Sequence, residues 1–161
     1  MKYAVVASKT TGNTGLLAET VRKALPEEDT LWFGEPDESA LEADMIFVGF
    51  WTEEGIADHA ALSFLEKLEG KEVFLFGSAG WGDSDYFRGV LRKTSEKLKR
   101  TVTVAGTFMC QGKMGAAVRA RYEKIPDKEK AELLLDNFDR ALTHPDEKDL
   151  QRLTNTVKAL I

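Results

Sequence analysis

Seven consecutive residues, Ser8, Lys9, Thr10, Thr11, Gly12, Asn13 and Thr14, combine hydroxyls, an amide, a positive charge and a glycine in one short stretch. They lie between a short apolar run over Tyr3–Ala7 and a segment with helical spacing. A loop that opens a helix presents unpaired backbone N–H groups at the positive end of the helix dipole. The hydroxyls add donors, Lys9 adds a positive charge, and Gly12 permits a turn that a β-carbon would resist. Together these groups suit a phosphate. A capped helix after a polar turn would use the same residue types, so the decision falls to other loops.

Two further segments follow apolar runs. One is Phe50, Trp51, Thr52, Glu53, Glu54 and Gly55; the other is Ser78, Ala79, Gly80, Trp81, Gly82, Asp83, Ser84, Asp85, Tyr86 and Phe87. Each sets large aromatics in a polar or glycine-rich context. Rings placed outside a core suit stacking on another planar group. Trp51 on one side, with Trp81 or Tyr86 on the other, would sandwich a flat heterocycle.

The elements that position these loops are legible as apolar runs at 3–7, 45–50 and 73–76, with a weaker one at 102–109 and an edge-like one at 30–33. Continuous rather than alternating runs mark strands covered on both faces. Helical stripes occupy 14–25, closed by Pro26, and 60–68 and 85–98. This alternation predicts a three-layer α/β fold with right-handed crossovers. The tail predicts helices over 115–123 and 127–142, the latter expected in the core. A last helix should begin with Pro145 in its first turn. One helix is needed to cover the sheet; the tail supplies more. The chain reads as a single domain over 1–161, with a core at 1–110 and a helical extension at 115–161.

Thr11-Gly12-Asn13-Thr14, Trp51, and Gly82-Asp83-Ser84-Asp85-Tyr86-Phe87, in this order, resemble the flavodoxin family. The resemblance implies a doubly wound, five-stranded parallel sheet in the order 2-1-3-4-5, bound FMN, and electron transfer to a redox partner. The cofactor contacts it implies, together with the neighbouring loop residues, are Ser8, Lys9, Thr10, Thr11, Gly12, Asn13, Thr14, Phe50, Trp51, Thr52, Gly55, Ser78, Ala79, Gly80, Trp81, Gly82 and Tyr86. Cys110-Gln111-Gly112-Lys113-Met114 is similar to a narrower bacterial branch, the flavodoxin-like partners of bilirubin reductases. Lys9 departs from the family, which usually carries a hydroxyl there; either it adds charge at the phosphate or Ser8 takes the role. Thr52 stands where many members have a small residue whose peptide turns over on reduction. A positive φ at a β-branched residue costs on the order of 1 kcal/mol or more. Either Gly55 takes over that movement or it is lost, and weaker stabilisation of the one-electron-reduced cofactor is expected.

Glu53, Glu54, Asp58, Asp83 and Asp85 are expected to form an acidic rim that lowers the potential of the final reduction step and meets a basic partner. Ordinary solvated loop charges are the plainer reading of the same residues. A net charge of −5, from 22 basic and 27 acidic side chains, argues against nucleic-acid binding. No run is long enough to cross a membrane, and one cysteine with two histidines cannot build a Cys/His zinc cage. A cytoplasmic protein is expected, with Cys110 a buried apolar-like residue. Besides the electron carrier, an FMN-dependent NAD(P)H:quinone oxidoreductase and a module of this fold without FMN fit the sequence. A phosphorelay receiver does not, because neither the first nor the third strand ends in aspartate.

Overall fold

The computed structural model describes residues 1–10 and 12–161; Thr11, expected in the phosphate loop, lies outside them. The apolar runs form strands β1 (Tyr3–Ala7), β2 (Thr30–Gly34), β3 (Met45–Glu53), β5 (Glu72–Ala79) and β6 (Thr103–Gln111). They pair in parallel in the order β2-β1-β3-β5-β6, which is the expected 2-1-3-4-5 path. A two-residue strand, β4 (Ile56–Ala57), pairs antiparallel with the end of β3.

Helices cover both faces, as continuous apolar strands require. One face packs Val5, Phe47, Phe74, Phe76 and Phe108 against Leu17 and Val21 of α1 (Gly12–Ala24) and Leu153 and Val157 of α6 (Glu147–Leu160). The other packs Val6, Ile46, Val48 and Leu75 against Phe64 and Leu65 of α2 (His59–Glu66) and Val90 of α3 (Ser84–Ser95).

Two glycines inside strands have a packing cause. Gly49 pairs with Phe76 and Gly77 pairs with Phe50 across β3 and β5. Each phenylalanine ring lies where its partner glycine would carry a β-carbon, so the aromatic layer closes on both faces without a bulge.

The tail divides its work differently from expectation. The last helix, α6, covers the sheet beside α1, and Asp146 rather than Pro145 starts it through a capping box with Asp149. Helices α4 (Ala116–Glu123) and α5 (Lys128–Ala141) pack on each other and against the ends of β5 and β6. The segment at 37–41 is a short 3-10 turn, Glu38–Glu42, capped by Asp37.

Candidate functional site

The three singled-out segments meet at the C-terminal edge of the sheet, where an open α/β fold gathers its ligands. Lys9, Gly12, Asn13, Thr14 and Trp51 line a recess of about 350 Å³ at the N-terminus of α1, together with Lys113, Met114, Gly115 and Val118. Trp51, Met114 and Val118 also line an adjoining cleft of about 800 Å³, so the two hollows share a wall and together form a trough in two parts. Thr52, Glu53, Glu54, Gly80, Trp81 and Tyr86 line that larger part, with Ile56, Ala57, His59, Leu62, Arg121 and Tyr122. A separate hollow of about 740 Å³ runs beside edge strand β2, lined by Arg22, Trp32 and Phe33, and none of the expected residues reaches it.

The first loop is held from below. Ser8 is buried and its hydroxyl donates to Asp58 Oδ2 at 2.7 Å, while its N–H donates to the Gly49 carbonyl at 3.2 Å. Strand alternation turns Ser8 toward the α2 face, away from the side on which α1 lies. Lys9 and Thr10 are exposed, and Gly12 has φ +65°, the left-handed backbone that glycine adopts without strain. Asn13 donates its amide to the Lys113 carbonyl at 2.9 Å, which ties the loop to the segment after β6.

Phe50, Trp51 and Thr52 belong to β3 rather than to a loop. Phe50 is wholly buried in the core, and Trp51 is half-buried at the trough. Asp58 clasps this end of the strand. Its carboxylate accepts from the Trp51 N–H at 3.0 Å and the Ala61 N–H at 3.1 Å, and its own N–H donates to the Trp51 carbonyl at 2.9 Å. Asp58 was expected on the acidic rim; it is only 5% exposed and caps α2 instead. Glu53, Glu54, Asp83 and Asp85 are exposed, and Asp85 pairs with Arg88.

The turn between β3 and β4 consists of Glu54 (φ 52°) and Gly55 (φ 83°), positive at both positions as in a type I′ hairpin. Thr52 therefore lies outside the positive-φ turn: it pairs with Ala57 in the ladder. Its buried hydroxyl has no partner among the described residues, and the same holds for Ser78. Ser78 and Ala79 are buried at the end of β5, and Gly82 is exposed. Tyr86 sits in the first turn of α3, which Asp83 caps by accepting from the Tyr86 N–H.

The tail contributes a wall that the sequence reading missed. Met114 lies against Gly80 and accepts a long contact of 3.9 Å from the Tyr122 hydroxyl. Met114, just before α4, and Val118 and Tyr122 on it are spaced four apart, and that spacing was the available signal. Arg121 beside it forms no ion pair among the described residues. Cys110 is buried as expected. Burial, reinforced by Asp149, pushes its thiol far above the ordinary range, so it is protonated at neutral pH.

Residues 4–158 match the flavodoxin-domain family model. The chain belongs to the flavodoxin family. It is 39% identical to a flavodoxin-like domain-containing protein BilS of Clostridium symbiosum, over 93% of this chain and 90% of that protein. A BilS of Clostridioides difficile is 28% identical over 100% of this chain and 97% of its own length. Among solved structures, oxidised flavodoxin 2 of Bacillus cereus superposes with a TM-score of 0.62 at 20% identity, covering 99% of this chain and 97% of that one. At that identity the likeness speaks for the fold. No helix among the described residues is long and apolar enough to cross a membrane.

Proposed function

We propose that this flavodoxin-family chain binds FMN in the trough and carries electrons to a partner reductase. The observation that carries the reading is that Trp51 stands between a hollow at the α1 N-terminus and an adjoining one lined by Trp81 and Tyr86. The donor set supports the fit. The narrow end offers a helix N-terminus, Asn13, Thr14 and two lysines, Lys9 and Lys113, which suits a phosphate. The wide end offers two indoles and two phenols, which suit a flat ring system. Thr52, with an unpartnered buried hydroxyl, lines that end.

FMN when bound supplies reversible redox chemistry, and the protein sets its access and potential. Lys9 and Lys113 attract the phosphate, Trp51 and Trp81 exclude water from the ring faces, and Asp58 keeps Ser8 and the Trp51 backbone in register. Exposed Glu53, Glu54 and Asp83 form the docking rim for a basic partner surface, speeding encounter at low salt. The resemblance of residues 110–114 to flavodoxin-like partners of bilirubin reductases makes such a reductase the first acceptor to test.

Equilibrium dialysis of the folded apoprotein against FMN is expected to show uptake of one FMN per chain, with two visible flavin bands. No uptake by folded protein would refute the reading. Rapid NADPH oxidation with a quinone by the protein alone would refute the carrier role in favour of an oxidoreductase.

A further inference from the structure

Asn137 is the one asparagine of α5, and it is turned inward, 4% exposed, beside Phe138 and Ala141. A primary amide in that position is destabilising unless its donors and acceptor are met. Here they are met on a single turn of the cleft wall. Asn137 Nδ2 donates to the Gly80 carbonyl at 3.0 Å, and Asn137 Oδ1 accepts from the Gly82 N–H at 3.3 Å. Gln111, the last residue of β6, completes the ring: its Nε2 donates to the Gly80 carbonyl and to Asn137 Oδ1, both at 3.0 Å. A carbonyl can only accept and a backbone N–H can only donate, so one orientation of the two amides satisfies the whole set.

The gripped turn carries Trp81 between two glycines. Neither glycine has a side chain to anchor it, and a free Gly-Trp-Gly segment samples a wide range of backbone states. Both glycines also lie close against neighbouring side chains, which a β-carbon would displace. A β-carbon on Gly82 would fall 2.7 Å from Gln111 Cδ, and one on Gly80 would overlap Met114. The strand that ends the sheet and a helix of the tail thus close on the same three residues from one side.

The geometry points to Asn137 and Gln111 as positioning residues for Trp81: they hold its backbone ready before the cofactor arrives. This rests on FMN occupying the trough. A wall ordered in advance removes the cost of ordering it on binding, which appears as affinity. It also gives α5 a role at the site, beyond packing against α4.

The test uses the full chain, with Asn137→Ala and the near-isosteric Asn137→Asp, which turns a second oxygen toward the Gly80 carbonyl. FMN Kd is measured by fluorescence titration with Trp81 present and in a Trp81→Ala background, and Gly82 amide exchange is followed in the apoprotein. Both variants are expected to bind FMN about tenfold more weakly; Asn137→Ala should also lose Gly82 protection, whereas Asn137→Asp keeps an oxygen for the Gly82 N–H and should retain it. In the Trp81→Ala background the same substitutions should change Kd by less than about twofold, because their effect passes through the indole. An undiminished tenfold loss in that background, or unchanged affinity in both variants, overturns the proposal. Where an Asn137 variant does not fold, Gln111→Met removes the other amide at similar length and is held to the same outcomes for FMN affinity. Should the wild type take up no FMN, the carrier reading fails separately. The clamp is then decided by Gly82 exchange alone: protection in the wild type that is lost in Asn137→Ala supports it, and fast exchange in the wild type, or protection that survives in Asn137→Ala, overturns it.

Discussion

Removing the carboxylate of Asp58 should destabilise this protein more than any loop charge normally would. The side chain is 5% exposed and accepts three hydrogen bonds, from Ser8 Oγ at 2.7 Å, Trp51 N–H at 3.0 Å and Ala61 N–H at 3.1 Å. The last of these is the N-cap of α2, and losing such a cap costs about 1 kcal/mol. The other two leave a hydroxyl and a backbone N–H without a partner, at about 1–3 kcal/mol each where water cannot enter. Ser8 is buried and Trp51 half-buried, so Trp51 recovers part of its loss from solvent. The expected total for Asp58→Ala is about 3–5 kcal/mol. In a chain of this size that lowers the melting midpoint by roughly 10 °C or more. Urea unfolding of the apoprotein followed by far-UV circular dichroism measures it, with an unchanged denaturant slope showing that stability alone moved. Asp58→Asn keeps one acceptor oxygen and should lose about half as much. Ser8→Ala, which removes a donor and leaves the carboxylate its two N–H partners, should lose about 1 kcal/mol. A loss below about 1 kcal/mol for Asp58→Ala would refute the argument that this carboxylate clasps the ends of β1 and β3.

A β-carbon at Gly112 would lie 2.6 Å from Asn13 Nδ2 and 3.1 Å from Ser78 Cβ, so Gly112→Ala should break the Asn13–Lys113 bond. FMN affinity should fall several-fold while the melting midpoint moves little; equal affinity in variant and wild type would contradict this. Cys110, its thiol held protonated by burial, should not react with a thiol-specific disulfide reagent at pH 8 until the chain unfolds. Prompt labelling of native protein would contradict its placement. The Asp146 carboxyl is held below the ordinary aspartate range, first by the Asp149 N–H, and Asp29 is lowered by its bond to Lys2. Such lowered groups contribute stability above the unfolded value of about 3.9 and lose it as pH falls through their lower folded values. The melting midpoint should therefore drop below about pH 4, and Asp146→Asn should make that acid limb shallower; an unaltered limb would exclude Asp146 as a contributor.

The sheet was legible because parallel strands covered on both faces must be apolar at every position, and 3–7, 45–50 and 73–76 are. The place of the polar loop at the junction of β1 and α1 was legible from the apolar run before it and the helical spacing after it, whereas its suitability for a phosphate was not decided there, because a capped helix uses the same residue types. The continuation of β3 through Trp51 and Thr52 to Glu53 was not legible. Its pairing partner is only two residues long, and the turn that joins them places Glu54 at positive φ, where a local reading expects glycine or asparagine. Asp58 was misplaced for a related reason. A carboxylate four positions after a pair of glutamates reads as part of the same exposed charge, and only the fold shows that Ser8, fifty positions earlier, needs an acceptor at that point.

The tail shows how a periodic pattern can be right about structure and silent about role. The stripes of α5 and α6 are alike in spacing, yet α6 seals the sheet beside α1 while α5 turns Asn137 toward the Gly80–Gly82 backbone. Hydrophobic spacing reports that a face is buried, not against what. The distinguishing mark is the polar residue inside the stripe: α5 interrupts its apolar face with an asparagine that packing alone would not select, and a buried amide must find backbone to bond. In this fold the backbone left over at the end of β5 is the turn that carries Trp81. An amide set into an otherwise apolar helical face, in a tail longer than the sheet requires, is therefore a sequence-level sign that the helix serves the ligand edge.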